Sequence, residues 1–417
     1  MLKKKLSRAV LGMLFGSCCL NAGGALAAGA SETELRELKA QVQDLRQRNE
    51  GLSHRLEGME RSVGEGLARQ NARILEQGKV LNEQAEASTG GDMIGQLSKY
   101  VRLSGLIEGD LVFSGDYAGG DTSEITLSTV ELGFDVALAD WVNAFTLLKY
   151  DGDEDDFFLD EAYMTLGKTE ASPVFFTIGK MVAPFGDYST IMLQDPFTQT
   201  LGEINEGTVV LGYTAHGMTA SAFAYNGVDE LGNDERINGF GLALRYDYEQ
   251  EEGLNFSLGA GWVNNLASAD AVSDALPRTE KDEAQLIDAV AGLNLHAVAS
   301  YANFAALVEY SAALDSFHAD DLAFNGSGAQ PAAINGELAY STAIQGFDTV
   351  FALGLQKTWE SLGLELPELR YSAAISVAIF EGASVTLEYF LDEDYEVSDG
   401  GSGEDGYGFT TRLAYEF

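Results

Sequence analysis

Apolar and polar residues alternate along most of this chain, in runs that begin near residue 99 and continue to its last residue. An alternation with period two is typical of β-strands, because successive side chains point to opposite faces of the sheet. In the last run the apolar face carries Phe409, Leu413, Tyr415 and Phe417, and the polar face carries Gly408, Thr410, Arg412 and Glu416. Similar runs cover Val130–Leu138, Phe240–Tyr248, Leu254–Trp262 and Leu369–Ile379. Because glycines, serines and charges suit a wet lumen better than the outside of a soluble barrel, the pattern predicts a transmembrane barrel with its apolar face toward lipid.

The alternating runs number about sixteen, and the connections between them are alternately short and long. Tight turns are expected at Ala139–Asp140, His216–Gly217, Ser300–Tyr301, Gln345–Asp348 and Glu381–Ala383. Long acidic loops are expected at Asp151–Asp156, Asn226–Glu235, Asn265–Ile287, Asp315–Asn335 and Asp392–Gly406. In outer-membrane barrels the short turns face the periplasm and the long loops face outside. We therefore expect an all-β transmembrane barrel of about sixteen antiparallel strands over residues 99–417.

The segment before the barrel has a heptad period. One core position is occupied by Leu35, Val42, Leu56 and Val63, and the other by Leu38, Leu45, Leu52 and Met59. Asn49 also falls at a core position, where a polar residue costs stability but specifies the register. The pattern favours a parallel α-helical coiled coil over residues 31–87, followed by a linker at 88–98. A single amphipathic helix lying on another surface is the alternative.

The chain begins with a basic stretch, Met1–Arg8, followed by apolar residues and a small-residue cleavage site at Ala25–Ala27. This is the pattern of a secretory signal peptide, here residues 1–27. The two cysteines, Cys18 and Cys19, both lie inside it, so the predicted mature chain has neither a disulfide nor a thiolate metal site. A lipoprotein acylated at Cys18 is the alternative. Secretion combined with a closed barrel indicates the Gram-negative outer membrane, with the coiled coil in the periplasm.

Acidic residues dominate the barrel. Residues 90–417 contain 12 Lys and Arg and 54 Asp and Glu, a net charge of −42. Such a charge excludes nucleic acid as a partner. The expected partners are outer-membrane lipid and lipopolysaccharide, the latter through divalent cations held loosely by the acidic loops. Asp151–Asp155 begins with the spacing of a calcium loop, but Asp156 stands where the glycine is needed, so we expect no metal site and no cofactor.

One connection differs in composition from the others. Val182–Glu206 contains three aromatic residues and two prolines and few charges. Because so apolar a loop is out of place in external water, we expect it to fold into the lumen and narrow the pore. The candidate constriction residues are Pro184, Phe185, Gly186, Asp195, Pro196 and Phe197. An external lid packed on its neighbours is the alternative.

Basic residues of the barrel are expected mostly on its wet face. Strand parity places Arg102, Arg245, Arg370 and Arg412 there, and Lys180 lies at the foot of the apolar connection. Together they form a candidate substrate pathway. The alternative is that the arginines simply pair with neighbouring carboxylates, for which the candidates are Glu108, Asp110, Asp247 and Glu388.

Catalysis has no support in the sequence. His54 falls in the predicted coiled coil and His216 in a turn, and neither His296 nor His318 has a matching serine or acid. We therefore expect no catalytic residue and no enzyme, although a barrel phospholipase or protease remains a third hypothesis.

The segment Gly179–Gly186, followed by Asp195-Pro196-Phe197, resembles the LbtU-type siderophore porins, the family of the legiobactin receptor. A similar Gly-Lys…Pro-Phe-Gly pattern occurs in phosphate-selective porins. The resemblance implies a channel for uptake of a ferric siderophore without TonB. The final strand, which ends on Phe417, resembles the signature by which the barrel assembly machinery recognises its substrates.

Three functions remain open at this stage. The first is a siderophore porin, or a general or solute-selective diffusion porin. The second is a structural tether or adhesin whose coiled coil extends toward the cell wall, and the third is the hydrolase. The heptad and the trimeric habit of the porins that the chain resembles together favour a homotrimer, with a dimer as the alternative.

Overall fold

The computed structural model describes residues 100–152, 157–167, 171–230, 237–250, 253–278 and 284–417. The predicted signal peptide (1–27), coiled coil (31–87) and linker (88–98) lie outside the described residues and stay predictions. No helix among the described residues is long and apolar enough to cross a bilayer.

Sixteen antiparallel strands form one closed barrel. In chain order they are β1 (Val101–Gly115), β2 (Asp121–Ala139), β3 (Val142–Tyr150), β4 (Phe158–Leu166), β5 (Val174–Val182), β6 (Asn205–Ala215), β7 (Met218–Asn226), β8 (Ile237–Tyr248), β9 (Leu254–Val263), β10 (Gly292–Tyr301), β11 (Phe304–Ala313), β12 (Ala332–Ile344), β13 (Phe347–Trp359), β14 (Leu369–Phe380), β15 (Ala383–Glu393) and β16 (Asp405–Glu416). Each strand pairs with its neighbours in sequence, and β1 also pairs with β16, which closes the sheet. The predicted sixteen-strand barrel is confirmed.

Short turns collect at one end of the barrel, as expected. His216–Gly217 and Gln345–Gly346 join their strands in two residues, and all four residues have positive φ, as a tight hairpin turn requires. The turn expected at Ser300–Tyr301 instead lies at 302–303, because Tyr301 still pairs with Phe304 in the ladder. The long loops begin and end within four residues of their predicted bounds, and some are longer and some shorter than predicted.

The outer face of the barrel is apolar and the inner face is polar. On β16, Leu413 and Tyr415 are 56% and 48% exposed on the outside, whereas Thr410 on the other face is buried. The same alternation places aliphatic and aromatic side chains on the outside of every strand. An exposed apolar belt of this kind is stable in lipid and costly in water.

Aromatic side chains on the inner face lie flat over glycines of the adjacent strand. Phe175 on β5 is paired with Gly212 on β6, and a Cβ at Gly212 would lie 2.0 Å from the Phe175 ring. The same arrangement joins Phe223 to Gly241, Tyr225 to Gly239 and Phe390 to Gly408. Because glycine has no side chain, each ring rests against the wall instead of crossing the lumen.

The loops at the opposite end pack on one another. They contain two helical turns, α1 (Phe197–Gly202) and α2 (Asp270–Ala275), and three 3₁₀ turns at Leu266–Ser268, Leu362–Leu364 and Val397–Asp399. Two-residue strands pair in parallel at Asp229–Glu230 with Gln285–Leu286, and in antiparallel at Ala323–Phe324 with Ser327–Gly328. Leu266, Val272, Leu286 and Phe317 from these loops join one buried apolar cluster with Phe185 of the β5–β6 connection.

Candidate functional site

The β5–β6 connection, residues 183–204, lies inside the barrel; it is called the constriction segment below. Its backbone N–H groups bond to inward-facing side chains of β11, β12, β13 and β15, on the far side of the barrel from its own strands. The segment therefore runs along the inner wall and does not project into external water. Its backbone N–H groups, which no strand ladder satisfies, need partners there.

Glu309 on β11 is the first of these partners. Its carboxylate accepts hydrogen bonds from the backbone N–H groups of Asp187 (2.9 Å) and Tyr188 (3.1 Å). It also accepts bonds from the Thr198 hydroxyl (3.0 Å) and from the Asn294 amide (2.8 Å). Glu309 is only 3% exposed, so these donors replace the water that a buried carboxylate would otherwise lack. One side chain thus ties together both ends of the constriction segment.

Two further carboxylates continue the attachment around the wall. Glu337 on β12 accepts bonds from the Thr190 hydroxyl (2.7 Å) and from the Ile191 backbone N–H (2.6 Å). Glu388 on β15 accepts a bond from the backbone N–H of Leu193. On β13, the Gln356 side-chain oxygen accepts a bond from the Phe197 backbone N–H (2.7 Å).

Glu309, Glu337 and Gln356 were not among the candidates predicted from the sequence, and Glu388 was a candidate only as a partner for an arginine. The signal was present, because each of these residues occupies an inward position in a strand whose other face is apolar. The pattern does not reveal which group each side chain binds, because the contacting residues are far apart in the chain: Glu309 and Asp187 are separated by 122 residues.

The apolar candidates of the segment are buried. Phe185 is 1% exposed and Phe197 is 2% exposed, and Pro184, Gly186 and Pro196 are buried with them. The Phe185 carbonyl lies so close to β9 that a Cβ at Gly261 would be 1.9 Å from its oxygen. Gly186 and Gly202 leave room for the Tyr188 ring. These residues hold the segment in place and do not line an open passage.

All three inward arginines near the segment are paired. The Arg245 guanidinium contacts Asp247 at 2.8 Å and Asp187 of the constriction segment at 3.0 Å. Arg412 binds Asp110 through two bonds of 2.9 and 2.8 Å, and Glu108 lies 2.9 Å from its third nitrogen.

Arg370 on β14 is held in a different way. Its guanidinium binds Asp392 at 2.7 and 2.8 Å, and it stacks between the rings of Phe197 and Phe390, with its central carbon 4.7 and 4.3 Å from their centroids. Phe197 belongs to the constriction segment, so this cation–π contact fixes the segment's returning half against the wall.

The remaining two basic candidates lie elsewhere. Arg102 is on the inner face of β1 but near the end of the barrel that carries the short turns, opposite Asp135 in the ladder. The structure differs from the prediction at Lys180. Lys180 shares a face of β5 with Ile178, which is exposed on the outside of the barrel, whereas Met181 on the opposite face joins the internal core. The Lys180 ammonium donates a hydrogen bond to the Leu159 carbonyl at 3.1 Å. Because of this strand parity, the five basic residues do not form one track through the lumen.

Asp195 is the constriction residue that is exposed rather than buried. Its side chain is open to the lumen, but the surrounding barrel keeps it from bulk water and thereby raises the pKa of its carboxyl, whereas the charges of Lys149 on β3 and Arg412 on β16 act to lower it. These two cations belong to the part of the wall that runs from β16 through β1 to β3 and carries none of the anchoring carboxylates, so Asp195 lies beside that part. Lys149 was not among the sequence candidates.

Glu203, at the C-terminal end of α1, is a second ionisable group on this side. Burial raises its pKa to about 8, and the nearby charges of Asp270 and Asp195 contribute. Burial likewise raises the pKa of Asp270 to about 6. The Gln199 amide donates to the Glu203 carboxyl at 2.8 Å.

Comparison with known sequences identifies distant relatives. No protein-family model matches the chain. It is 27% identical over 347 residues to a UPF0422 protein of Coxiella burnetii, an alignment that covers 81% of this chain and 73% of the relative. It is 26% identical over 331 residues to a UPF0422 protein of Legionella pneumophila strain Lens, covering 74% of this chain and 62% of that protein. The chain thus spans less than two thirds of the Legionella relative.

Solved structures with a similar fold are outer-membrane porins and channels. OprB of Pseudomonas putida matches with a TM-score of 0.54 at 10% identity, over 79% of this chain and 97% of that one. The anion-selective porin of Comamonas acidovorans matches with 0.51 at 12%, over 76% and 99%. The DcaP channel of Acinetobacter baumannii matches with 0.50 at 13%, over 76% and 97%. At these identities the comparison establishes that the fold is that of outer-membrane porins.

Proposed function

We propose that this protein is an outer-membrane channel through which small solutes diffuse passively, and that the constriction segment sets the width of its passage. The observation that carries the proposal is the attachment of residues 183–204 to the inner wall through Glu309, Glu337, Gln356 and Glu388. A tether or adhesin would not need a segment fixed to the wall of its lumen. The porin fold and the apolar outer belt are consistent with the same proposal.

Because the segment is attached to only part of the inner wall, the rest of the lumen stays open to solutes. The segment lies against β11–β15, while Asp195 lies near Lys149 on β3 and Arg412 on β16, in a part of the wall that carries none of the anchoring residues. A fixed loop with a charged, exposed tip acts as a constriction, because it narrows the passage without closing the barrel. We propose that solutes pass between Asp195 and this wall.

Ferric siderophore uptake is the finer hypothesis, and it rests on the resemblance of Gly179–Gly186 and Asp195–Phe197 to the siderophore porins. The pairing of Arg245, Arg370 and Arg412 with carboxylates disfavours an anionic chelate, because the expected basic track is neutralised. The test is uptake of radiolabelled ferric siderophore by an iron-starved strain with and without this protein. Equal uptake in both strains would leave a general diffusion porin.

Single-channel conductance in planar bilayers tests the channel itself. The full-length protein should conduct, and deletion of Asp187–Thr200 should raise the conductance, because the deleted residues lie outside the strand ladder and narrow the lumen. An equally long deletion in the β11–β12 loop, residues 315–328, is the control and should change conductance less. If the full-length barrel inserts and does not conduct, the channel proposal fails and the tether becomes the better account.

A further inference from the structure

We infer that the passage beside Asp195 selects cations, so that the solutes carried by this channel are small and positively charged. The inference rests on the proposed channel function and deepens it. Three observations carry it: the composition of the arginine clusters, the surroundings of Lys149 and the position of Asp195.

The arginine clusters carry excess negative charge. Arg245 contacts two carboxylates, those of Asp187 and Asp247, and Arg412 contacts those of Glu108 and Asp110. With Arg370 and Asp392, three guanidinium groups are matched by five carboxylates at 2.7 to 3.0 Å. Guanidinium groups held in this way cannot turn toward a passing anion without leaving carboxylates unpaired inside the barrel.

Lys149 likewise has more carboxylates than cations around it. The charged groups that act on it are all carboxylates: Asp160, Glu131, Asp195 and Glu203. They come from the constriction segment and from the barrel wall on either side of β3. An anion approaching Lys149 therefore meets a field of the opposite sign to the one it needs.

Asp195 is the charge that a solute meets most directly. It is exposed, and no hydrogen bond or ion pair of its carboxylate is found among the described residues. The following residues, Pro196 and Phe197, are buried, and the Phe197 backbone is bonded to Gln356. The backbone position of the carboxylate is therefore fixed, which suits a selectivity-determining group.

The test is the reversal potential across a bilayer with a KCl gradient. The unaltered full-length channel should pass potassium in preference to chloride by about tenfold, as expected where like charges focus the field in a narrow passage. Asp195→Asn should reduce that preference and Asp195→Lys should abolish or reverse it. Lys149→Gln should increase it. The control is Asp320→Lys, which makes the same charge change on an external loop, where the Asp320 side chain is 84% exposed.

Solute class is measured by swelling of liposomes that contain the channel, in lysine, glutamine or glutamate, which are similar in size and differ in charge. Lysine should enter fastest and glutamate slowest, and Asp195→Lys should narrow or invert that order. Equal shifts for Asp195→Lys and Asp320→Lys would assign selectivity to overall charge and overturn the role of Asp195. Conductance without cation preference would overturn this inference and leave the channel standing, whereas absence of conductance would overturn the proposed function itself.

Discussion

Buried carboxylates that accept backbone N–H groups are the main residue-scale feature of this barrel. Glu309, Glu337 and Glu388 each satisfy donors of a segment that has no strand partner. Hydrogen bonds to charged groups contribute about 1.5–3 kcal/mol each, roughly twice the value of neutral ones. Three such acceptors in sequence along the wall therefore hold the constriction segment more firmly than its apolar contacts alone would.

Replacing Glu309 by leucine should loosen the constriction segment. The change leaves four donors without an acceptor, those of Asp187, Tyr188, Thr198 and Asn294, at about 1–3 kcal/mol for each that stays buried. We expect larger open-channel current fluctuations in bilayers from a barrel that still folds. Glu309→Gln keeps one acceptor oxygen and should give an intermediate result, and Glu381→Gln in the short β14–β15 turn is the control. Current as quiet as that of the unaltered protein would contradict the anchoring role.

Cation preference should increase with pH between about 7 and 9. A carboxyl whose pKa is raised to about 8 is neutral below that pH and gains its charge above it, so Glu203 adds a negative charge to the passage in this window. The groups that face it are Asp270, Asp195, Lys149 and Asp160, with Gln199 as hydrogen-bond donor.

Reversal potentials in a KCl gradient at pH 6, 7, 8 and 9 measure this effect. In Glu203→Gln the rise should be lost, while the preference at pH 6 should change little because Glu203 is already neutral there. A pH dependence of the same size in Glu203→Gln would assign the titration to another group.

At the scale of elements, pairing between adjacent strands keeps the lumen open. Phe175, Phe223, Tyr225 and Phe390 each lie over a glycine of the next strand. The rings bury apolar surface against the wall, and the glycines provide the space that this requires. The strands thus combine bulky side chains with a wide interior.

Gly212→Ala should destabilise the barrel by about 1–3 kcal/mol, the usual effect of overpacking. The added Cβ would lie 2.0 Å from the Phe175 ring, which would have to leave the wall. Gly336→Ala on β12 is the matched control, since the nearest atom there is 3.9 Å away. The temperature at which the folded, fast-migrating form is lost on SDS gels measures the difference. Equal temperatures for the two variants would show that the Phe175–Gly212 packing contributes nothing to stability.

At the scale of the whole molecule, a lipid-compatible exterior encloses an acidic interior. Barrel closure between β1 and β16 brings Asp110 and Arg412, 302 residues apart in sequence, into contact at 2.8 Å. Closure also satisfies the edges of the sheet, which is the condition for a β-structure to span a membrane.

The association state is still a prediction. The heptad at Leu35–Val63 leads us to expect a homotrimer in detergent, held in part by the predicted coiled coil. Chemical cross-linking should give trimers for the full chain and fewer trimers after deletion of residues 31–87. Monomers in both cases would contradict the prediction, and dimers would favour the two-stranded alternative.

The alternation of apolar and polar residues determined the strands, their number and which face meets lipid, because period two assigns each side chain to a face whatever the rest of the fold does. The acidic charge and the unusual composition of the β5–β6 connection were also evident in the sequence.

Tertiary structure alone decided which side chains contact one another inside the barrel. Glu309 meets Asp187, Arg370 stacks on Phe197, and Arg412 is neutralised by Glu108 and Asp110, because curvature and closure bring together strands far apart in the chain. Lys180 adjoins the constriction segment in sequence, yet strand parity turns it to the outer face, and Lys149 faces the passage instead.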